Sequence, residues 1–193
     1  MRRSSLAAAL ALALLAPSAR SAEIKGWFMA GSDPASYEMV KDPDVRHGGA
    51  TSVRMASTNE SKGFGTIMQM INATHYAGKR VRLSAWVKTQ DVASWAGLWM
   101  RVDDASNPPK SLAFDNMQGR PFRGTADWAT ASVVLDVASE AKAVAFGILM
   151  DGQGKLWISD IKFEVVSNSV PTTNMAGMDQ KRSDEPENLD FKK

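Results

Sequence analysis

The chain has 193 residues, with 23 Lys+Arg against 21 Asp+Glu, six Trp, eleven Met and no cysteine. That length predicts one domain with appendages rather than two full domains. The missing cysteine excludes disulfides, thiol catalysis and thiolate metal centres. The near balance of charge excludes the concentrated basic face that a phosphate backbone requires, so no nucleic-acid partner is expected.

Residues 1–21 read as a signal peptide. Arg2 and Arg3 form the positive front, an apolar run follows from Leu6 to Ala16, and Pro17 breaks it before the small-residue exit at Ala19-Arg20-Ser21. The apolar run is too short to span a bilayer, so no membrane span is expected and the chain is placed in the periplasm or outside the cell. Setting aside Arg2, Arg3 and Arg20 leaves 20 bases against 21 acids. Residues 22–166 form a globular domain. Residues 167–193 are poor in apolar side chains, carry mixed charge and have no periodicity, which predicts a flexible polar tail.

Within the domain, apolar residues recur with period two and turn residues punctuate them. Candidate strands cover 36–40, 50–57, 64–71, 80–88, 96–102, 112–117, 130–137, 143–150 and 155–166. Breaks fall at Gly48-Gly49, Lys62-Gly63, Ala77-Gly78, Asn107-Pro108-Pro109, Gly119-Arg120-Pro121 and Gly152-Gln153-Gly154. No segment offers an amphipathic helix of three turns. The pattern predicts an all-β, two-sheet antiparallel β-sandwich, or jelly roll.

Alternation assigns the faces. Val81, Leu83, Ala85 and Val87 point to the core, with Arg82, Ser84, Trp86 and Lys88 opposite. Leu98, Met100 and Val102 point inward, while Gly97, Trp99 and Arg101 point outward. In 64–71, Ile67, Gln69 and Ile71 share one side, opposite Phe64, Met68 and Met70. Trp157 shares a side with Ile161 and Phe163 and is assigned to the core, and Trp128 is expected under a turn. The outward Trp86 and Trp99, with Arg101 and the polar Asp115, Asn116 and Gln118, make a candidate contact surface.

Three stretches carry a family resemblance. Lys79-Arg80-Val81-Arg82-Leu83-Ser84-Ala85-Trp86-Val87-Lys88-Thr89, Asp127-Trp128 before Val133-Val134-Leu135-Asp136-Val137, and the closing Leu156-Trp157-Ile158-Ser159-Asp160-Ile161-Lys162-Phe163-Glu164 stand in the order and spacing of such a module. The chain resembles the carbohydrate-binding-module-like jelly rolls of the galactose-binding-domain-like superfamily. The resemblance implies recognition of a glycan or other small polar ligand, with indoles stacking on sugar rings and planar polar groups taking the hydroxyls. It also implies that Asp160, the acid of the closing strand, helps hold a structural Ca²⁺. Calcium takes six to eight oxygens, and further ligands are expected near the domain's start, where Glu23 and Glu38 stand.

Catalytic motifs are missing. His47 and His75 lie far apart, each beside a turn, and read as solvated loop residues. There is no His-x-x-x-His pair, no Gly-x-Ser-x-Gly elbow and no phosphate-cradling loop. The sequence therefore reads as a non-enzymatic, exported binding module. Two alternatives stand beside it: a structural module whose Trp/Met surface meets another protein or a second copy, and a glycan hydrolase using paired carboxylates.

Overall fold

The computed structural model describes residues 24–175. The signal-peptide reading of 1–21 and the tail beyond 175 lie outside the described residues. Nine strands run in chain order: β1 Phe28–Gly31, β2 Tyr37–His47, β3 Ala50–Ser57, β4 Phe64–Asn72, β5 Lys79–Asp103, β6 Ser111–Asp115, β7 Phe122–Val137, β8 Ala143–Asp151 and β9 Lys155–Val166. Two 3₁₀ turns, Pro34–Ser36 and Ala73–His75, are the only helical pieces among the described residues. The all-β expectation holds. Every pairing is antiparallel.

Hydrogen bonds join all nine strands into one curled sheet because β5 is unusually long. Its first half, residues 79–90, pairs with β7 on one side and β9 on the other. Its second half, from Trp95 to Asp103, pairs with β8, and its end pairs with β6. The path is thus two layers sharing one strand. Sheet I runs β7-β5-β9-β3-β2, and sheet II runs β6-β5-β8-β4-β1. The two candidate strands 80–88 and 96–102 are therefore one element. The ladder slips between them, and Asp91 takes a left-handed φ of 54° at the bend. Strand β1 is absent from the sequence prediction. It is four residues long, below the length at which alternation is readable.

The core lies between the layers. Val81, Leu83, Ala85, Val87, Leu98, Met100 and Val102 of β5 meet Ile67, Val144, Phe146, Ile148 and Met150 of β4 and β8, together with Leu156 and Ile158 of β9. The inward assignments along β5 agree with this, and in β4 the side of Ile67 is the one that faces the core. Burying each such aliphatic side chain stabilises the fold by about 1.5–3 kcal/mol relative to exposure.

Trp157 departs from expectation. It is buried, but on the face opposite Leu156 and Ile158, outside the interlayer core. A β-bulge explains the change of side. Ser84 pairs with Lys162 and Trp86 with Ser159, so β9 spends one extra residue, and Asp160 takes φ 51° there. Residues before the bulge present even positions to the core. Residues after it present Ile161 and Phe163. The Trp157 indole is instead capped by the β2 loop, donating its Nε1–H to Asp42 Oδ2 at 2.8 Å.

Residues 167–174 run against the sandwich. Thr173 exchanges hydrogen bonds with Val134, and Arg80 Nη1 donates to the carbonyls of Asn168 and Val170 at 2.7 and 2.6 Å. Backbone-directed bonds hold this stretch where composition alone predicts none.

Asp42 generates a pH prediction. Burial pushes its carboxyl up, but hydrogen bonds from Trp157, Val45 and Asp44 and the charge of Arg54 outweigh that and hold it below the usual carboxylate value. A lowered folded-state value contributes stability that is present above the unfolded value and lost as pH falls through the folded one. The urea midpoint should fall as pH drops below about 5, and Asp42→Asn should flatten that fall while lowering the plateau.

Candidate functional site

The outer face of sheet II carries a groove of about 720 Å³. That volume lies within the range of small-molecule sites. The side chains that build it are the outward residues of each strand. β4 gives Phe64, Thr66, Met68 and Met70; β8 gives Leu149 and Asp151; β5 gives Trp95, Trp99 and Arg101. β1 adds Phe28 and Ala30, and Phe114 and Asn116 close the far wall.

Glycine shapes the floor. Gly147 sits between Met68 and Trp99 in the ladder, so that row has a dent where a side chain would stand. A Cβ at Gly147 would run into the backbone carbonyl oxygen of Ile67, and this close approach of β4 requires glycine. Gly97, the next outward position on β5, is likewise closed by the backbone of Asn116 and by Met117.

The floor's polar atoms are spent internally. Trp99 is only 8% exposed, and its Nε1–H donates to Thr66 Oγ1 at 2.7 Å. The Thr66 hydroxyl in turn donates to the Ile148 carbonyl at 2.9 Å. The indole therefore offers ring surface and no free donor. Charge sits at the ends. Arg101 holds Asp103 through Nε and Nη2 at one end, and Asp151 accepts from Ser94 Oγ at 2.6 Å at the other. Phe28, Phe64 and Met70, on the rim, are 47%, 37% and 53% exposed. Exposed apolar surface gathered this way marks an interaction site.

The structure divides the six candidate contact residues. Trp99, Arg101 and Asn116 come together in the groove. Trp86 lies on sheet I, away from it. Asp115 faces the core side of β6, fully buried, and is held by Arg120 Nη2 at 2.5 Å and by the Met117 amide at 2.8 Å. Gln118 is exposed and outside the lining. Alternation could not place Asp115 and Gln118 because β6 ends at 115 and the chain turns there, with Met117 at φ 61°. Met68 and Met70, read from the sequence as packing filler or an adaptable apolar groove, line it; Phe28, Trp95, Phe114 and Leu149 were missed because their neighbours across the sheet are not legible in sequence.

Trp86 belongs to a second cluster. His47, at the end of β2, stacks on the Trp86 ring with centroids 4.1 Å apart and an interplanar angle of 24°. Trp128 leans on His47 at 5.4 Å, and His47 Nδ1 bonds Asp160 Oδ2 at 2.7 Å. His47 is thus a packed residue rather than a solvated one. The bulge at Asp160 aims the carboxylate at it. Of the acids expected around a calcium ion, Asp160 bonds His47 and Glu38 pairs with Arg54 at 2.8 Å, while Glu23 lies outside the described residues; no group of three or more His, Cys, Asp or Glu gathers among the described residues.

The architecture is that of carbohydrate-binding-module-like β-sandwiches. The family 22 carbohydrate-binding module of Clostridium thermocellum Xyn10B superposes with a TM-score of 0.52 at 13% identity, covering 74% of this chain and 87% of that one. A family 16 carbohydrate-binding module gives 0.52 at 14% identity, covering 69% and 92%. The enzymatically active domain of bacteriophage CBA120 tailspike protein 4 gives 0.57 at 13%, covering 75% and 20%. At such identities the likeness is one of fold. No family model matches the chain.

A relative in sequence is the uncharacterized HTH-type transcriptional regulator YbfP of Bacillus subtilis (strain 168), 42% identical over 171 residues. The match takes in 88% of this chain, and the chain spans 57% of that relative's length. This overturns the reading of an exported glycan-binding module, since the relative is named for transcriptional control. Among the described residues no helix is long and apolar enough to cross a membrane.

Two substitutions test the local architecture. Gly147→Ala must separate β4 from β8 and should cost about 1–3 kcal/mol in urea unfolding. Arg120→Ala strands the buried Asp115 carboxylate and should cost about 3 kcal/mol, with Asp115→Asn in the same background recovering part of it.

Proposed function

We propose that this β-sandwich is a ligand-sensing unit of the kind that accompanies a DNA-binding part in a regulator, and that its groove takes an elongated apolar molecule with polar groups at its two ends. The observation that carries the reading is the floor of the groove on sheet II. Its Trp99 and Thr66 polar atoms are satisfied within the protein, so an occupant gains burial and ring contact there rather than hydrogen bonds. Arg101 and Asp151 stand where the polar ends would lie.

The regulator-named relative supports the setting. The described residues hold no α-helix, and the chain spans 57% of that relative's length. On this reading the sandwich recognises the signal, and another domain reads DNA.

The test uses 1-anilinonaphthalene-8-sulfonate as an apolar probe with one charged end. Its fluorescence should rise and saturate on the full chain. Phe28→Asp with Met70→Asp should weaken binding at least tenfold, about 1.4 kcal/mol, with little change in Tm because both side chains are about half exposed. A protein that ignored the probe and instead bound a xylo-oligosaccharide through the same face would overturn the reading.

A further inference from the structure

We propose that the groove's ligand is an organic cation, an alkyl- or arylammonium whose charged head sits at Asp151 between two aromatic rings and whose apolar body runs toward Trp99. The inference rests on the groove being the recognition site and names the charge of what it takes.

One row of the sheet carries the argument. Asp151 of β8 pairs with Phe64 of β4 on one side and with Trp95 of β5 on the other. All three side chains line the groove. Directly opposed residues on neighbouring strands hold their Cβ atoms about 4.5–5.5 Å apart. The carboxylate is therefore flanked on both sides by an aromatic ring. Two strand spacings of about 4.8 Å set the rings roughly 10 Å apart, a gap that a compact cation fills while touching both. A ring face attracts a cation within about 6 Å of its centroid, and the carboxylate adds a full opposite charge.

The charges along the groove select the same sign. Its charged lining residues are Arg101 and Asp151. Arg101 is neutralised at its own end: Nε lies 2.8 Å from Asp103 Oδ1, the Asp103 side chain is 4% exposed, and Nε and Nη2 both donate to Oδ2. Asp151 has no such partner. Its Oδ2 accepts the Ser94 hydroxyl at 2.6 Å, and it forms no ion pair among the described residues. Arg123 of β7 gives its Nη1 to the Ser94 carbonyl instead. One carboxylate is left uncompensated at the end of an apolar groove, where a hydrophobic cation supplies the missing charge.

The rest of the groove fits the body of such a ligand. Four residues of β8, about 13 Å at about 3.3 Å per residue, lead from Asp151 past Leu149 to the dent at Gly147, between Met68 and Trp99. An apolar tail gains burial there, since the indole N–H is already spent on Thr66.

The experiment is isothermal titration calorimetry of the full chain with decyltrimethylammonium and with decyl sulfate, each below its micelle concentration. The cation should bind about tenfold more tightly than the anion. Asp151→Asn keeps the shape and a partner for Ser94, and it should abolish that preference. Trp95→Leu should weaken the cation about threefold and spare the anion. Equal affinities for the two head groups, no binding of the cation, or a preference that survives Asp151→Asn overturns the proposal. The anilinonaphthalene probe keeps that failure apart from failure of the groove reading. If the probe saturates the protein and is lost in Phe28→Asp with Met70→Asp, the groove stands without its cation; if the probe ignores those substitutions, both readings fall.

Discussion

The shared strand β5 is the constraint on which the molecule depends. Twenty-five residues run without interruption through both layers, so the two sheets are covalently and hydrogen-bond continuous along one ladder. Because successive side chains alternate, each inward residue of β5 fixes the outward residue beside it. Leu98 and Met100 cannot fill the core without Trp99 and Arg101 standing on the opposite face. The groove is in this sense the reverse side of the core. Its precision comes from the same packing that holds the layers together.

The faces of β5 were readable from period two because its polar and apolar positions differ sharply, whereas in β4 Gln69 shares a side with Ile67 and Ile71 and the opposite side holds Phe64, Met68 and Met70, so polarity did not choose between them. What alternation could not supply was the lateral order of strands. The rows Phe28–Met68–Gly147–Trp99 exist only once β1, β4, β8 and β5 lie side by side, and those strands are far apart in the chain. Trp86 and Trp99 looked equivalent in sequence, yet they fall on different sheets because the bend near Asp91 separates them. The bulge in β9 was hidden for a plainer reason. Leu156, Trp157 and Ile158 are all apolar, so either phase of the alternation fits them, and only a left-handed Asp160 marks the slip. Asp tolerates that conformation better than most residues, which makes an acid in the middle of a strand a usable signal for a bulge.

His47 shows the same limit. Beside Gly48-Gly49 it resembled a loop residue, but the antiparallel turn into β3 carries it over sheet I, between two indoles and a carboxylate. Its partners lie on strands β5, β7 and β9, none adjacent to it in sequence. The family resemblance was sound for the architecture and misleading for the role. A sandwich that presents a face can serve glycan capture or regulation, and the side chains on that face decide which. Here they are Met68, Met70, Phe28, Phe64, Phe114 and the internally bonded Trp99, with Arg101, Asn116 and Asp151 among them.

The Arg80 guanidinium ties three segments at one point: it grips Asp136 on β7 through Nε and Nη2, and caps two carbonyls of the stretch after β9 through Nη1. The heading of the chain as it leaves the sandwich is therefore set by this fork together with the Thr173–Val134 hydrogen bonds and the Asn174 contact to the Phe114 amide. Loss of the guanidinium would leave those two later anchors in place, so the stretch after β9 is fastened to three strands at once and not at a single point.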